Sequence, residues 1–186
     1  GDGRRITSVA VSRHLSSGRL FAYVTFHDRA NQFGVFELVP GGDPVLRAVR
    51  TLGGVLSTGS FPQGWQVIVY GERAYVITRE TAGTELHVFS ITDPLQPIEI
   101  IGARTELSRT VNDVTAFSVG AGALRRDYLI LAASANQKEL AIFDVTDTVP
   151  QEVLALDLPG DSNAEALYVS ATQVYLGRQS MSGGPE

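Results

Sequence analysis

Three kinds of residue recur at one spacing in this chain, and that spacing limits what it can fold into. Pro44, Pro97 and Pro150 stand 53 residues apart. Phe36, Phe89 and Phe143 are 53 and 54 apart. Tyr23, Tyr75 and Tyr128 are 52 and 53 apart, and Tyr175 follows 47 further on. Independent anchors that agree on one period mark a tandem repeat. The repeating unit is a set of short β-branched and aromatic runs separated by Gly, Pro, Asn and Asp, which reads as strands and turns. No 3.6-residue apolar period extends over a helix-length window, so helix is not expected.

Taken in order, strands are expected at 6–12, 20–26, 33–39 and 45–52, then at 66–70, 74–78, 86–91 and 98–102. A third set follows at 114–119, 128–133, 140–145 and 153–157, and a partial fourth at 164–170 and 174–177. Each set holds four strands with polar turns between them, and the four tyrosines are expected at equivalent places in the second strands. A period near 50 with four strands per unit is the signature of a β-propeller blade. The expected fold is therefore all-β: a propeller of four-stranded antiparallel blades, at about 6–52, 66–102 and 114–157, with a partial blade at 164–177. Each blade is a twisted sheet with two apolar faces, so it must stack on its neighbours to bury both. The prolines remove an N–H that a ladder needs and belong in outer turns. Asp93 and Asp147 suit tight turns closed by the side chain. Closed propellers have about four to eight blades, so about three and a half blades are expected to form part of a single propeller domain. The rest would come from a longer polypeptide or from another subunit.

Composition narrows the function. Hydrophobic residues make up 44% and charged residues 19%, which suits a packed domain. The net charge is −5, and no basic cluster exceeds two residues, as at Arg4-Arg5 and Arg125-Arg126. That argues against nucleic acid as a partner. The absence of cysteine excludes thiol catalysis, cysteine-ligated zinc and iron–sulfur clusters. No run approaches the ~18 apolar residues of a membrane-spanning helix.

Motifs for chemistry are sparse. His14, His27 and His87 lack a metal-site partner two or four residues away and read as surface or satisfied-edge groups. There is no Gly-x-Ser-x-Gly elbow. Asp161-Ser162-Asn163 is the nearest approach to a calcium loop and lacks its ligand spacing. The glycines at 53, 54 and 59 precede neither a helix nor a Gly-Lys-Ser/Thr, so phosphate binding is unsupported. No catalytic residue, metal or cofactor is assigned. The connections between second and third strands, and from a fourth strand to the next first strand, emerge on one face of a propeller. They carry Trp65, beside Phe61, together with Arg29, Arg79, Arg104, Arg109, Asn136, Lys138 and Arg178. Trp65, Arg79, Arg104, Arg109 and Arg178 are the candidate binding residues: arginine forks and one aromatic anchor suit a protein or an anionic polymer or glycan.

The run Ala74-Tyr75-Val76, followed by Leu86-His87-Val88-Phe89-Ser90-Ile91-Thr92-Asp93-Pro94, resembles the LVIVD repeat. Leu140-Ala141-Ile142-Phe143-Asp144-Val145-Thr146-Asp147 is similar to the same repeat, whereas Phe33-Gly34-Val35-Phe36-Glu37-Leu38 has Glu where the pattern has Asp. The resemblance implies a propeller and a secreted or surface protein of a bacterium or archaeon. The expected function is a non-catalytic module for partner binding or structural display in an extracellular assembly. Two alternatives remain: a hydrolase or lyase whose active site is completed by further blades, and the displayed head of a filament or pilus-like subunit.

Overall fold

The structure is a computed structural model and describes residues 5–28, 31–52, 63–79, 83–134, 138–159, 163–170 and 173–179. The chain divides into two compact units, Gly1–Ser108 and Arg109–Glu186. Unit 1 holds β1 (Arg5–Arg13), β2 (Leu20–His27), β3 (Phe33–Leu38) and β4 (Val45–Arg50) as one sheet in the order β1-β2-β3-β4. It also holds β5 (Gln63–Tyr70), β6 (Arg73–Arg79), β7 (Leu86–Ser90) and β8 (Ile98–Glu99) in the order β5-β6-β7-β8. Unit 2 holds β9 (Thr110–Val119), β10 (Arg126–Ser134), β11 (Leu140–Asp144) and β12 (Gln151–Leu156) as a third such sheet, and the hairpin β13 (Ala164–Val169) and β14 (Val174–Arg178). All neighbouring strands are antiparallel.

Every expected strand is present, and three boundaries differ by three residues or more. β8 stops at Glu99 rather than Gly102, because the Ala103 N–H closes a 3-10 turn on the Ile100 carbonyl. Thr105 then rejoins the sheet beside Leu86. β9 begins at Thr110, four residues before the expected start. β5 begins at Gln63, so Trp65 belongs to a strand and not to a connector.

Within unit 1, β5 lies against β1 and β2; within unit 2, β13 lies against β9 and β10. The first strand of one sheet stacks in both cases on the first two strands of the sheet before it. This is the face-to-face stacking of propeller blades, so the sheets are called blades one to four here. The stack in unit 1 buries Phe21, Tyr23 and Phe33 against Val76, Phe89 and Ile91. Phe33 and Phe89 have ring centroids 4.7 Å apart, so Phe89 lies between sheets.

A β-bulge marks the same place in each first strand, at Thr7, Trp65, Asn112 and Glu165. Bulges re-aim a side chain, and here two of them lock blades together. Thr7 Oγ1 donates to the Gly64 carbonyl at 2.6 Å, and Ser8 Oγ accepts from Val67 N–H at 3.3 Å. Asn112 Nδ2 donates to the Ala164 carbonyl at 2.7 Å, and Asp113 Oδ2 accepts from Leu167 N–H at 2.7 Å. The bulged residue thus holds the carbonyl before the next blade's bulge, and its successor holds the N–H two residues after it. The approach is close: a Cβ on Gly64 would sit 2.3 Å from the Gln32 carbonyl oxygen, so glycine is required there.

The bulges also fix which residues correspond. Two residues beyond them stand Val9, Val67, Val114 and Leu167, paired with Val24, Val76, Leu131 and Leu176. Immediately before these partners are Tyr23, Tyr75, Ile130 and Tyr175. Three tyrosines are therefore equivalent and Tyr128 is not, contrary to the sequence spacing. It lies two positions earlier, stacked on Phe117 with centroids 5.1 Å apart, and an insertion in the longer β9–β10 connection had masked the shift.

Candidate functional site

The end of each blade where β2, β6 and β10 turn back is built around one repeated contact. Gln32, Glu85 and Glu139 each precede a third strand. Their carbonyls accept from the N–H of Phe26, Thr78 and Ala133 at 2.9, 2.8 and 2.8 Å. Their side-chain oxygens accept from the N–H of Leu52, Leu107 and Leu158 at 2.7, 2.6 and 3.1 Å. One residue thus closes the second turn and ties down the chain leaving the fourth strand, satisfying backbone groups that the sheet leaves over. Sequence reasoning missed this set, although a Gln or Glu four residues before each of Phe36, Phe89 and Phe143 was there to read.

In unit 1 this end also carries Trp65, Arg79 and Arg104. Gln63 pairs with Arg79 at the start of the β5–β6 ladder, and the Arg79 guanidinium lies 3.4 Å from the centre of the Trp65 ring. The structure therefore brings these two together as a cation–π pair. Arg104 is held instead by Glu99, through Nε at 2.8 Å and Nη2 at 2.6 Å. Glu99 Oε1 also meets His87 Nδ1 at 2.6 Å. Burial alone would raise the Glu99 carboxyl, but His87 and Arg104 outweigh it and hold it down at about 2. His87 is buried in mid-strand and satisfied by that carboxylate.

In unit 2, Arg109 Nη2 binds Glu152 Oε2 at 2.5 Å, and Arg178 Nη2 donates to the Pro159 carbonyl at 2.8 Å. Lys138 is exposed. Arg29, Asn136, Phe61, Asp161 and Ser162, which the sequence also singled out, lie outside the described residues. At the other end of unit 1, a cleft of about 160 Å³ is lined by Arg13, His14, Tyr23, Glu72 and Ile91 among others. His14 Nε2 donates to the Thr92 carbonyl at 2.9 Å, which leaves Nδ1 to accept from the Ser17 hydroxyl at 2.8 Å. Asp93 closes its turn as expected, accepting from Leu95 N–H at 2.9 Å. In blade three a bond of this kind comes from Asp144, to Thr146 N–H at 2.9 Å.

Two blade faces carry apolar side chains that stay open to solvent. On blade one, cross-strand pairing sets Val9, Val11, Ala22, Val24, Phe36 and Leu46 on one face. Val9 is 52% and Val11 58% exposed, while Ala22 and Val24 on the strand beside them are buried with Phe26. The matching face of blade two, with Val76 and Phe89, is buried against blade one. On the blade four hairpin, Tyr168 and Tyr175 pair with ring centroids 5.9 Å apart and are 67% and 54% exposed. Tyr23 and Tyr75, which correspond to Tyr175, are each 2% exposed. Burial pushes the Tyr23 hydroxyl up to about 12.

No described helix is long and apolar enough to cross a membrane. Among the described residues, no group of three or more His, Asp or Glu could hold a metal ion. No protein-family model and no curated protein matches the chain. Among solved structures, it is similar to the β-propeller domain of Vanderwaltozyma polyspora Nup133, with a TM-score of 0.49 and 10% identity. That likeness covers 94% of this chain and 53% of the other, so the chain spans about half the length of the structure it matches.

Proposed function

We propose that this chain is a β-propeller interaction module that binds protein through its two open blade faces and has no catalytic role of its own. The observation that carries this reading is the contrast between equivalent positions. Tyr23 and Tyr75 are covered and Tyr175 is open; Phe89 is covered, while Val9 and Val11 around its counterpart Phe36 are open. Large apolar side chains gathered on one sheet face and left open to water mark an interface. The two open faces are the two halves of the contact that joins blades one and two, so each fits a sheet face of the same type. Further blades or another subunit would supply it. Apart from these faces, the Trp65–Arg79 pair of blade two offers an aromatic and cationic contact, as would Arg104, Arg109 and Arg178 if they exchanged their present partners. The likeness to the LVIVD repeat is what supports an extracellular or cell-surface setting in a bacterium or archaeon.

The test is a concentration series by multi-angle light scattering on the chain and on Val11→Glu and Tyr175→Glu. The unaltered chain should associate as concentration rises. Each charged variant should associate at least about tenfold more weakly, because a desolvated carboxylate opposes the contact, while keeping its β circular dichroism. A chain that stays monomeric throughout, or variants that associate as the parent does, would overturn the proposal.

A further inference from the structure

We infer that the Glu85 side chain is a proton-operated latch on residues 105–108, the segment with which unit 1 ends. Its geometry is that of the repeated contact: Glu85 Oε2 accepts from Leu107 N–H at 2.6 Å. Gln32 makes the equivalent bond to Leu52 at 2.7 Å with an uncharged side chain. The latch therefore needs an acceptor oxygen but no charge. In blade three, Glu139 makes it to Leu158 at 3.1 Å.

Blade two differs in having a second carboxyl beside the first. Glu106 belongs to the latched segment, and its Oε1 accepts from Ser108 N–H at 3.3 Å. Ser108 has φ +53, a left-handed backbone that a residue with a Cβ rarely adopts and that its surroundings must hold in place. The cations nearest in the sequence have partners elsewhere: Arg79 lies over Trp65, His87 and Arg104 are bound by Glu99, and Arg109 is bound by Glu152. Among the described residues, Glu106 is the charged group that acts on Glu85. Burial, reinforced by Glu106 and opposed by the Leu107 and Ser108 N–H groups, pushes the Glu85 carboxyl up to about 7.

With one proton on the pair, the Glu85 hydroxyl donates to the Glu106 carboxylate while its other oxygen still holds Leu107. Loss of that proton sets two carboxylates face to face in a partly buried site, and their repulsion opens the segment. The sign follows from the raised value. The folded state keeps a proton that the unfolded chain gives up in the ordinary carboxylate range, so the latch is firm in acid and weakens as pH rises toward and through about 7.

Amide hydrogen exchange between pH 5.5 and 8.5, corrected for intrinsic rates, tests this within one molecule. Opening at Leu107 should increase as pH rises through neutrality, by up to about tenfold per pH unit, whereas Leu52 should show no such rise. Glu85→Gln should flatten the Leu107 profile to that of Leu52. Glu106→Gln, at an exposed position, should weaken the rise and move it to lower pH without abolishing it, because the burial of Glu85 remains, and it carries the test should the first variant fold poorly. A Leu107 profile parallel to that of Leu52 in the parent chain, a slope that survives Glu85→Gln, or a profile that Glu106→Gln leaves unchanged would overturn the inference.

Discussion

Phe36 and Phe89 occupy one position in two blades, opposite Ala22 and Ala74 of their second strands. What surrounds them differs. Phe89 is buried between sheets and packs on Phe33, whereas Phe36 lies on the open face of blade one and is half-buried. Truncation of a buried aromatic removes its transfer energy and leaves a cavity, so Phe89→Ala should cost about 3–5 kcal/mol. Phe36→Ala should cost roughly half of that or less, since much of its surface is never withdrawn from water. Urea unfolding of both variants checks the pair; equal losses would mean that the face around Phe36 is covered in solution. The same reasoning explains Gly34, where an added Cβ would lie 2.8 Å from the Phe26 ring that rests over it.

The blades are held at the scale of elements by side chains that reach into the backbone of the next first strand. Asp113 takes the Leu167 N–H, and Asn112 gives a hydrogen to the Ala164 carbonyl. Asp113→Ala should therefore loosen the β13–β14 hairpin while leaving β10 and β11, whose ladder is independent of it, unchanged. Hydrogen exchange should rise over residues 164–178 and stay constant over 128–144; uniform acceleration would show that the bond supports the whole unit. This lock also shows where sequence reading ended. The strands were legible because apolar alternation and turn residues are local signals, and the period was legible because proline and phenylalanine are distinctive. The bulges at Thr7, Trp65, Asn112 and Glu165 were not legible, because four different residues fill one geometric role and the constraint lies in where the backbone bends. Tyr128 misled for the opposite reason: an identical residue at a matching interval occupies a different register. Of the site, the arginines and Trp65 could be named from their residue types, although Trp65, Arg79 and Arg178 prove to lie in strands and not in loops. Their engagement with Glu99, Glu152, the Pro159 carbonyl and one another depends on strand pairing that no spacing reveals.

At the scale of the molecule, the repeat carries an internal standard for exposure. Tyr23, Tyr75 and Tyr175 are one residue in three blades, and Tyr23 lies in the core that blade one shares with the blade after it. The first two are buried and the third is open. The account holds that a protein surface of the same kind covers Tyr175 and Tyr168 when the module is assembled, because an apolar blade face contributes to stability only when it is removed from water. Radical footprinting of tyrosine across a concentration series measures this directly. The account predicts that Tyr23 and Tyr75 stay protected at every concentration, and that Tyr168 and Tyr175 react freely when dilute and become protected as the chain associates. Tyr175 reacting equally at the lowest and highest concentrations, in samples that light scattering shows to be associated, would contradict it.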